Sequence, residues 1–134
     1  VQIENMLVRD FQISCTEAYI GNGIFDKQTK YKLYNSEHYF QKIKKMYKKT
    51  KYLKFGKYPE IFTHDFLKIH NCMITSSVVV SKSLFDNMGK FRNLPSNADY
   101  DCWLGLLQLE DCLYIDEPLV YYDLLHANGR EYTK

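Results

Sequence analysis

NADYDCWLGLL, residues 97–107, admits two readings, and the choice between them sets the fold. By spelling, Asp99-Tyr100-Asp101 is a D-x-D, two hard oxygen donors of the kind that hold a divalent cation. By position, the same carboxylates occupy the first turn of a helix, whose positive end stabilises each by about 0.3–1 kcal/mol. Trp103, Leu104, Leu106 and Leu107 recur at helical spacing and Asn97 or Asp99 suits the start, so the stretch predicts a helix reaching about Glu110. It lies between an apolar run at residues 74–80, the strongest strand candidate in the chain, and a second apolar run at 112–115. Helix and strand therefore alternate, which predicts an α/β or α+β architecture with a mixed sheet.

The rest of the chain fits that alternation. Residues 2–10 carry Ile3, Met6, Leu7 and Val8 among polar residues, the pattern of an amphipathic helix entering from something upstream. Residues 11–15 and 18–20 read as short strands ending at the turn Gly21-Asn22-Gly23, and 26–34 as loop. Ser36 is placed to cap a helix over 37–49, and Gly56 and Pro59 punctuate the connection after it. Thr63 opens a short helix that Asn71 closes. Ser81 caps another through Leu84, Phe85 and Met88, with Gly89 where a left-handed residue is wanted. Residues 92–97 read as loop, and 112–115 and 119–124 as two strands parted by Asp116-Glu117-Pro118.

A chain of 134 residues, 46% of them hydrophobic, fits a single domain over residues 1–134 with a real core. The net charge of +2 is too small by itself to argue for nucleic acid. Cys15, Cys72, Cys102 and Cys112 form no C-x-x-C pair and no zinc-finger spacing, so they read as buried reduced thiols, favouring a cytoplasmic, reducing compartment. No run approaches the length of a membrane span, so the chain reads as soluble.

Two features can carry chemistry. Asp99 at a helix mouth bordering a loop can accept a proton from a hydroxyl brought within hydrogen-bond reach. His38, His64 and His70 read as structural. Residues 42–57 hold eight lysines interleaved with Tyr47, Tyr52 and Phe55. Such a segment can grip nucleic-acid phosphate, an anionic membrane surface or an acidic acceptor, although a solvated helix face with lysine stems over apolar surface is the simpler reading, and nucleic acid the weakest.

Five pieces occur in one order: Asn71-Cys-Met-Ile-Thr-Ser-Ser-Val-Val-Val80, then Phe85 with Gly89-Lys-Phe91, then Asp99-Tyr-Asp-Cys-Trp103, then Tyr114-Ile-Asp-Glu-Pro-Leu-Val-Tyr121, then His126. Together they resemble the second, acceptor half of a family 2 glycosyltransferase domain. The segment around Cys15-Thr-Glu17 and the Gly21-Asn-Gly turn resembles the same family less strongly. The resemblance implies a partial glycosyltransferase A-type fold, a mixed sheet with flanking helices that lacks the N-terminal nucleotide-binding half. It also implies inverting transfer of a sugar from a nucleotide sugar to an acceptor hydroxyl, with Asp99 the general base. Asp101 and Trp103 match supporting positions near the acceptor, Thr75 and Ser76 match the strand end bordering the substrate pocket, and His126 matches a histidine near the metal or diphosphate. A divalent metal, Mn or Mg, is implied, with its own D-x-D expected upstream of Val1 rather than at Asp99-Tyr100-Asp101.

Three positions depart from the family pattern: Ala98 stands where Glu is frequent, and Gly105 and Asp123 where Arg is frequent. These departures, with the missing donor half, support an alternative: a catalytically inactive remnant that acts as a binding or oligomerisation module, covering an apolar sheet edge or face with a second copy or a partner chain.

Overall fold

The computed structural model describes residues 1–89, 92, 94 and 96–125. The fold is arranged around β1 (Ile13–Gly21), whose first six residues are all buried. A strand covered on both faces need not alternate polar and apolar residues, and here Ser14, Thr16 and Glu17 are buried alongside Ile13, Cys15 and Ala18. β5 (Cys112–Asp123) runs parallel to β1 along one edge, from Ser14 beside Leu113 to Gly21 beside Asp123. The other edge is shared by two short antiparallel strands. β4 (Val79–Val80) lies against Ile13 and Ser14, and β2 (Lys32–Leu33) against Tyr19 and Ile20. β3 (Ile61–Phe62) adds antiparallel to the start of β5. The sheet is thus mixed and open, in the order β2-β1-β5-β3, with β4 beside β2 on the free edge of β1.

Helices flank this sheet: α1 (Gln2–Arg9), α2 (Phe40–Met46), α3 (His64–Leu67), α4 (Lys82–Met88) and α5 (Ala98–Leu107). The architecture is α/β with a mixed sheet and flanking helices, as the alternation of patterns predicted. Among the described residues, no helix is long and apolar enough to cross a membrane. The core joins Ile13 and Cys15 of β1 to Phe62, Phe66 and Leu67 and to the inner side of α5, Cys102, Trp103, Leu106 and Leu107. All four cysteines are free and buried. Burial pushes the Cys72 thiol up to about 12.

Two caps and one stop fall where the sequence places them, while α3 ends at Leu67, ahead of the Asn71 expected to close it. The Thr63 hydroxyl accepts from the Phe66 N–H to cap α3, and the Ser81 hydroxyl accepts from the Leu84 N–H to cap α4. Gly89 closes α4 at φ 96°, a left-handed conformation that a side chain would strain.

Four expectations are corrected. Residues 74–80 are not one strand: Thr75–Ser77 is a 3₁₀ turn and only Val79–Val80 pairs. At this turn the Ser77 hydroxyl accepts from the Thr16 N–H at 3.0 Å. Ser36 caps no helix: it lies within the turn ahead of α2, with its N–H donating to a Glu17 carboxylate oxygen at 2.9 Å. Residues Tyr34–His38 form a single π-helical turn and α2 begins only at Phe40. The two strands expected on either side of Asp116-Glu117-Pro118 are one, β5, with the register slipping there: Thr16 faces Ile115 but Glu17 faces Pro118. A proline cannot donate to a ladder, and a bulge absorbs it. Likewise the strands expected at 11–15 and 18–20 are continuous across Glu17.

Candidate functional site

Between β4 and β2 the free edge of β1 has no partner strand, and side chains take the place of a ladder. Thr16 N–H donates to the Ser77 hydroxyl, and Ala18 N–H to Glu17 Oε1 at 2.9 Å. Glu17 is fully buried. Its Oε1 also accepts from Asn35 N–H and its Oε2 from Ser36 N–H, each at 2.9 Å. Three backbone donors thus converge on one carboxylate, and they clamp the π-helical turn against the gap in the edge. Asn35 fastens the turn further by donating its amide to the Cys72 carbonyl.

The clamp brings Tyr34 opposite the Thr75–Ser77 turn, and a cleft of about 320 Å³ opens between them. Tyr34, Asn71, Met73, Ile74, Thr75, Ser76, Asp99 and Tyr122 line it. The rings of Tyr34 and Tyr122 meet edge to face with centroids 5.1 Å apart. Burial, with Tyr122 and Tyr39 beside it, pushes the Tyr34 phenol well above its ordinary range, so it stays a protonated donor across the accessible pH range.

Asp99 enters from the mouth of α5. Asn97 begins that helix in a left-handed conformation without a side-chain cap, and Asp99 stands in for one, its Oδ1 accepting from Tyr100 N–H at 2.7 Å. Oδ2 faces the cleft and accepts from the Thr75 hydroxyl at 2.7 Å. Tyr100 pins the helix mouth by donating its hydroxyl to the Leu67 carbonyl at 2.6 Å. Capping and site chemistry are therefore divided between the two oxygens of one carboxylate. A hydroxyl entering the cleft meets an oriented acceptor at Asp99 Oδ2, polar partners at Thr75 and Ser76, and aromatic walls.

Of the residues expected at the site, Thr75, Ser76 and Asp99 are brought together. Asp101 and Trp103 are not among the lining residues. Asp101 borders a different cleft, with His64, Met88, Arg92 and Gly105, where the Arg92 guanidinium grips both its oxygens and holds its carboxyl below the usual range. Trp103 lies one turn below Asp99, buried in the core. His126, Lys90 and Phe91 fall outside the described residues. Among the described residues no three His, Cys, Asp or Glu side chains converge as a metal site. Asp99 and Asp101 do not fit one, because each faces a separate cleft and is already engaged.

Two departures from the family pattern have local structural roles. A Cβ on Gly105 would lie 2.9 Å from the Met88 sulfur, so the glycine is a notch that lets α4 pack on α5. Asp123 Oδ1 accepts from Gly23 N–H at 2.8 Å and from Leu125 N–H at 3.0 Å, tying the turn after β1 to the end of β5.

The residues missed by sequence reasoning are Tyr34, Tyr122 and above all Glu17. The signal for Glu17 was its phase: an acid that alternates with Ile13 and Cys15 on one face of a strand must find donors there if that face is buried. Compared with protein-family models, with curated proteins and with solved structures, the chain matches none.

Proposed function

We propose that this chain is the acceptor half of a family 2 glycosyltransferase domain of A-type fold, and that Asp99 is its general base. The observation that carries the reading is the bond from Thr75 to Asp99 Oδ2. It joins two motifs 24 positions apart in a single cleft, in the order in which the family arranges them. The acceptor hydroxyl would replace or join Thr75 at Oδ2 and pass its proton there as its oxygen attacks the anomeric carbon of a nucleotide sugar. The bond from that carbon to the diphosphate would break on the opposite face and the nucleoside diphosphate leave, with inversion. Ser76 and Asn71 supply hydrogen bonds to the acceptor, and Tyr34 and Tyr122 its walls. The nucleotide diphosphate and the divalent metal belong to a donor-binding half, in the same polypeptide or a partner. The described residues do not form that metal site, and no step is assigned to it. Asp101 acts on this reading through the Arg92 pair and Trp103 by backing the helix from the core.

The test is transfer from a panel of nucleotide sugars by a form joined to its donor half. Asp99→Asn should lower turnover by a factor of about 10² to 10⁴ while leaving the fold intact. Full activity in Asp99→Asn sinks the assignment.

A second reading, a binding or oligomerisation module without turnover, is favoured by one observation. On α1, Ile3, Leu7 and Val8 are exposed, and a groove of about 380 Å³ runs between that helix and the β4 edge. Sedimentation discriminates: a concentration-dependent dimer that Leu7→Glu abolishes supports an oligomerisation module, and a stable, well-folded monomer that binds no nucleotide sugar supports a self-contained binding module instead.

A further inference from the structure

The lysine-rich segment has a geometry that its composition did not disclose. No acidic residue interrupts the chain between Glu37 and Glu60, and eight lysines fall within that interval. All eight are exposed. Among the described residues none of them makes an ion pair, the pairs lying instead at Arg9, Lys68, Lys82 and Arg92. The segment therefore presents eight exposed positive charges, two of them over the Phe40 and Tyr52 rings and none neutralised by a carboxylate among the described residues.

The aromatics interleaved with these lysines are mostly turned inward. Tyr47 is buried, stacked on Phe66, and donates its hydroxyl to the Phe66 carbonyl at 2.7 Å. Tyr52 packs edge to face on the same ring. Phe55 is the exception: its side chain is 93% exposed. It stands at the tip of a turn closed by Gly56 N–H donating to the Leu53 carbonyl, with both Leu53 and Gly56 at positive φ. That backbone carries a strained non-glycine residue, and its result is a phenylalanine held out into water among lysines. Met46, also exposed, adds a second apolar group nearby in sequence.

The choice of partner follows from this division. Single-stranded nucleic acid is gripped by a row of exposed aromatic faces on which successive bases stack, and here one ring is offered, not a row. An anionic bilayer asks for clustered lysines at the headgroups and an apolar side chain that reaches past them to the acyl boundary. We infer that residues 42–57 dock the protein on the surface of an anionic membrane, with Phe55 as the inserted group. The inference stands apart from the transferase reading and does not require turnover.

Co-sedimentation with vesicles of phosphatidylcholine alone, and of phosphatidylcholine containing about one-third phosphatidylserine, tests it. Binding is expected to the anionic vesicles and to fall steeply with added salt, with none to the neutral ones. Each neutralised lysine should weaken partitioning about fivefold, so Lys48→Gln, Lys49→Gln, Lys54→Gln and Lys57→Gln together should lower it by roughly two to three orders of magnitude. Phe55→Ser should lower it roughly tenfold while leaving the salt dependence unchanged. Phe55→Trp should shift its emission to the blue on anionic vesicles, a readout of insertion that charge alone does not produce. All these side chains are exposed, so unchanged melting temperatures are expected and guard against misfolding. The inference is overturned by absence of binding to anionic vesicles at low salt. It is equally overturned by unchanged binding in the fourfold lysine variant or in Phe55→Ser, by an unshifted Phe55→Trp emission on anionic vesicles, or by tighter binding of a single-stranded oligonucleotide than of the vesicles.

Discussion

Replacing Glu17 with glutamine keeps the shape of the side chain and removes its charge, which isolates what three converging N–H groups gain from a carboxylate. The amide oxygen can keep the two donors on the Oε1 side, Ala18 and Asn35, but its NH₂ then meets the Ser36 N–H, donor against donor. Losing one hydrogen bond to a charged acceptor costs about 1.5–3 kcal/mol, and the other two weaken from charge-assisted to neutral. The sum is roughly 3 kcal/mol, a large share of the roughly 5–15 kcal/mol that holds a domain of this size, and about 10 °C in melting temperature. The opposing effect is relief of desolvation, since a fully buried carboxylate without a cationic partner among the described residues gains stability on losing its charge. The donors win only if they are well aligned. Urea denaturation of Glu17→Gln measures the balance, and hydrogen exchange at Asn35 and Ser36 should accelerate more than at α5, because the clamp is local. A variant as stable as the parent, or more so, refutes the idea that Glu17 organises the gap in the sheet edge and with it the placement of Tyr34.

Ser81→Ala should cost about 1 kcal/mol by stripping the cap from α4, read as a lower urea midpoint with an unchanged slope. Gly105→Leu should destabilise by about 1–3 kcal/mol through collision with Met88, and Met88→Ala in the same chain should recover part of the loss, a coupling that a double-mutant cycle resolves. The Asp101 carboxyl, held down by Arg92, should titrate below an ordinary aspartate by NMR and return to the ordinary range in Arg92→Gln. Because its folded pKa is lowered, whatever stability it contributes is present above the usual carboxylate range and fades as pH falls through the lowered value. Iodoacetamide at mildly alkaline pH should leave the thiols unmodified until denaturant is added, since burial pushes Cys72 up to about 12 and Cys102 up to about 11. Rapid native-state labelling of either would contradict the packing described.

Helix ends written in adjacent residues were legible in the sequence, because a Thr63 or Ser81 hydroxyl meets its own backbone three positions on and needs nothing from elsewhere. Misreadings arose where a distant partner decided. Val78, Val79 and Val80 favour extended structure, but the preceding Thr75–Ser77 tightens into a turn whose Ser77 hydroxyl accepts from Thr16, 61 positions away. Ser36 looks like a cap, but Glu17, 19 positions away, binds its N–H and that of Asn35 in a turn that precedes α2. The candidate site divides the same way. Asp99 and Thr75 were named from motif order, yet helix geometry already argued against grouping Asp101 with them: residues i and i+2 on a helix point in nearly opposite directions. Asp99 begins the stripe that continues through Trp103 and Leu106 into the core, so it emerges where that stripe meets the cleft, while Asp101 faces Arg92 on the other side. A D-x-D on a helix is thus poorly suited to chelate one ion, whereas on a strand end or loop it can. The spelling that first suggests a metal becomes, once the helix is recognised, a reason to assign the two carboxylates different roles.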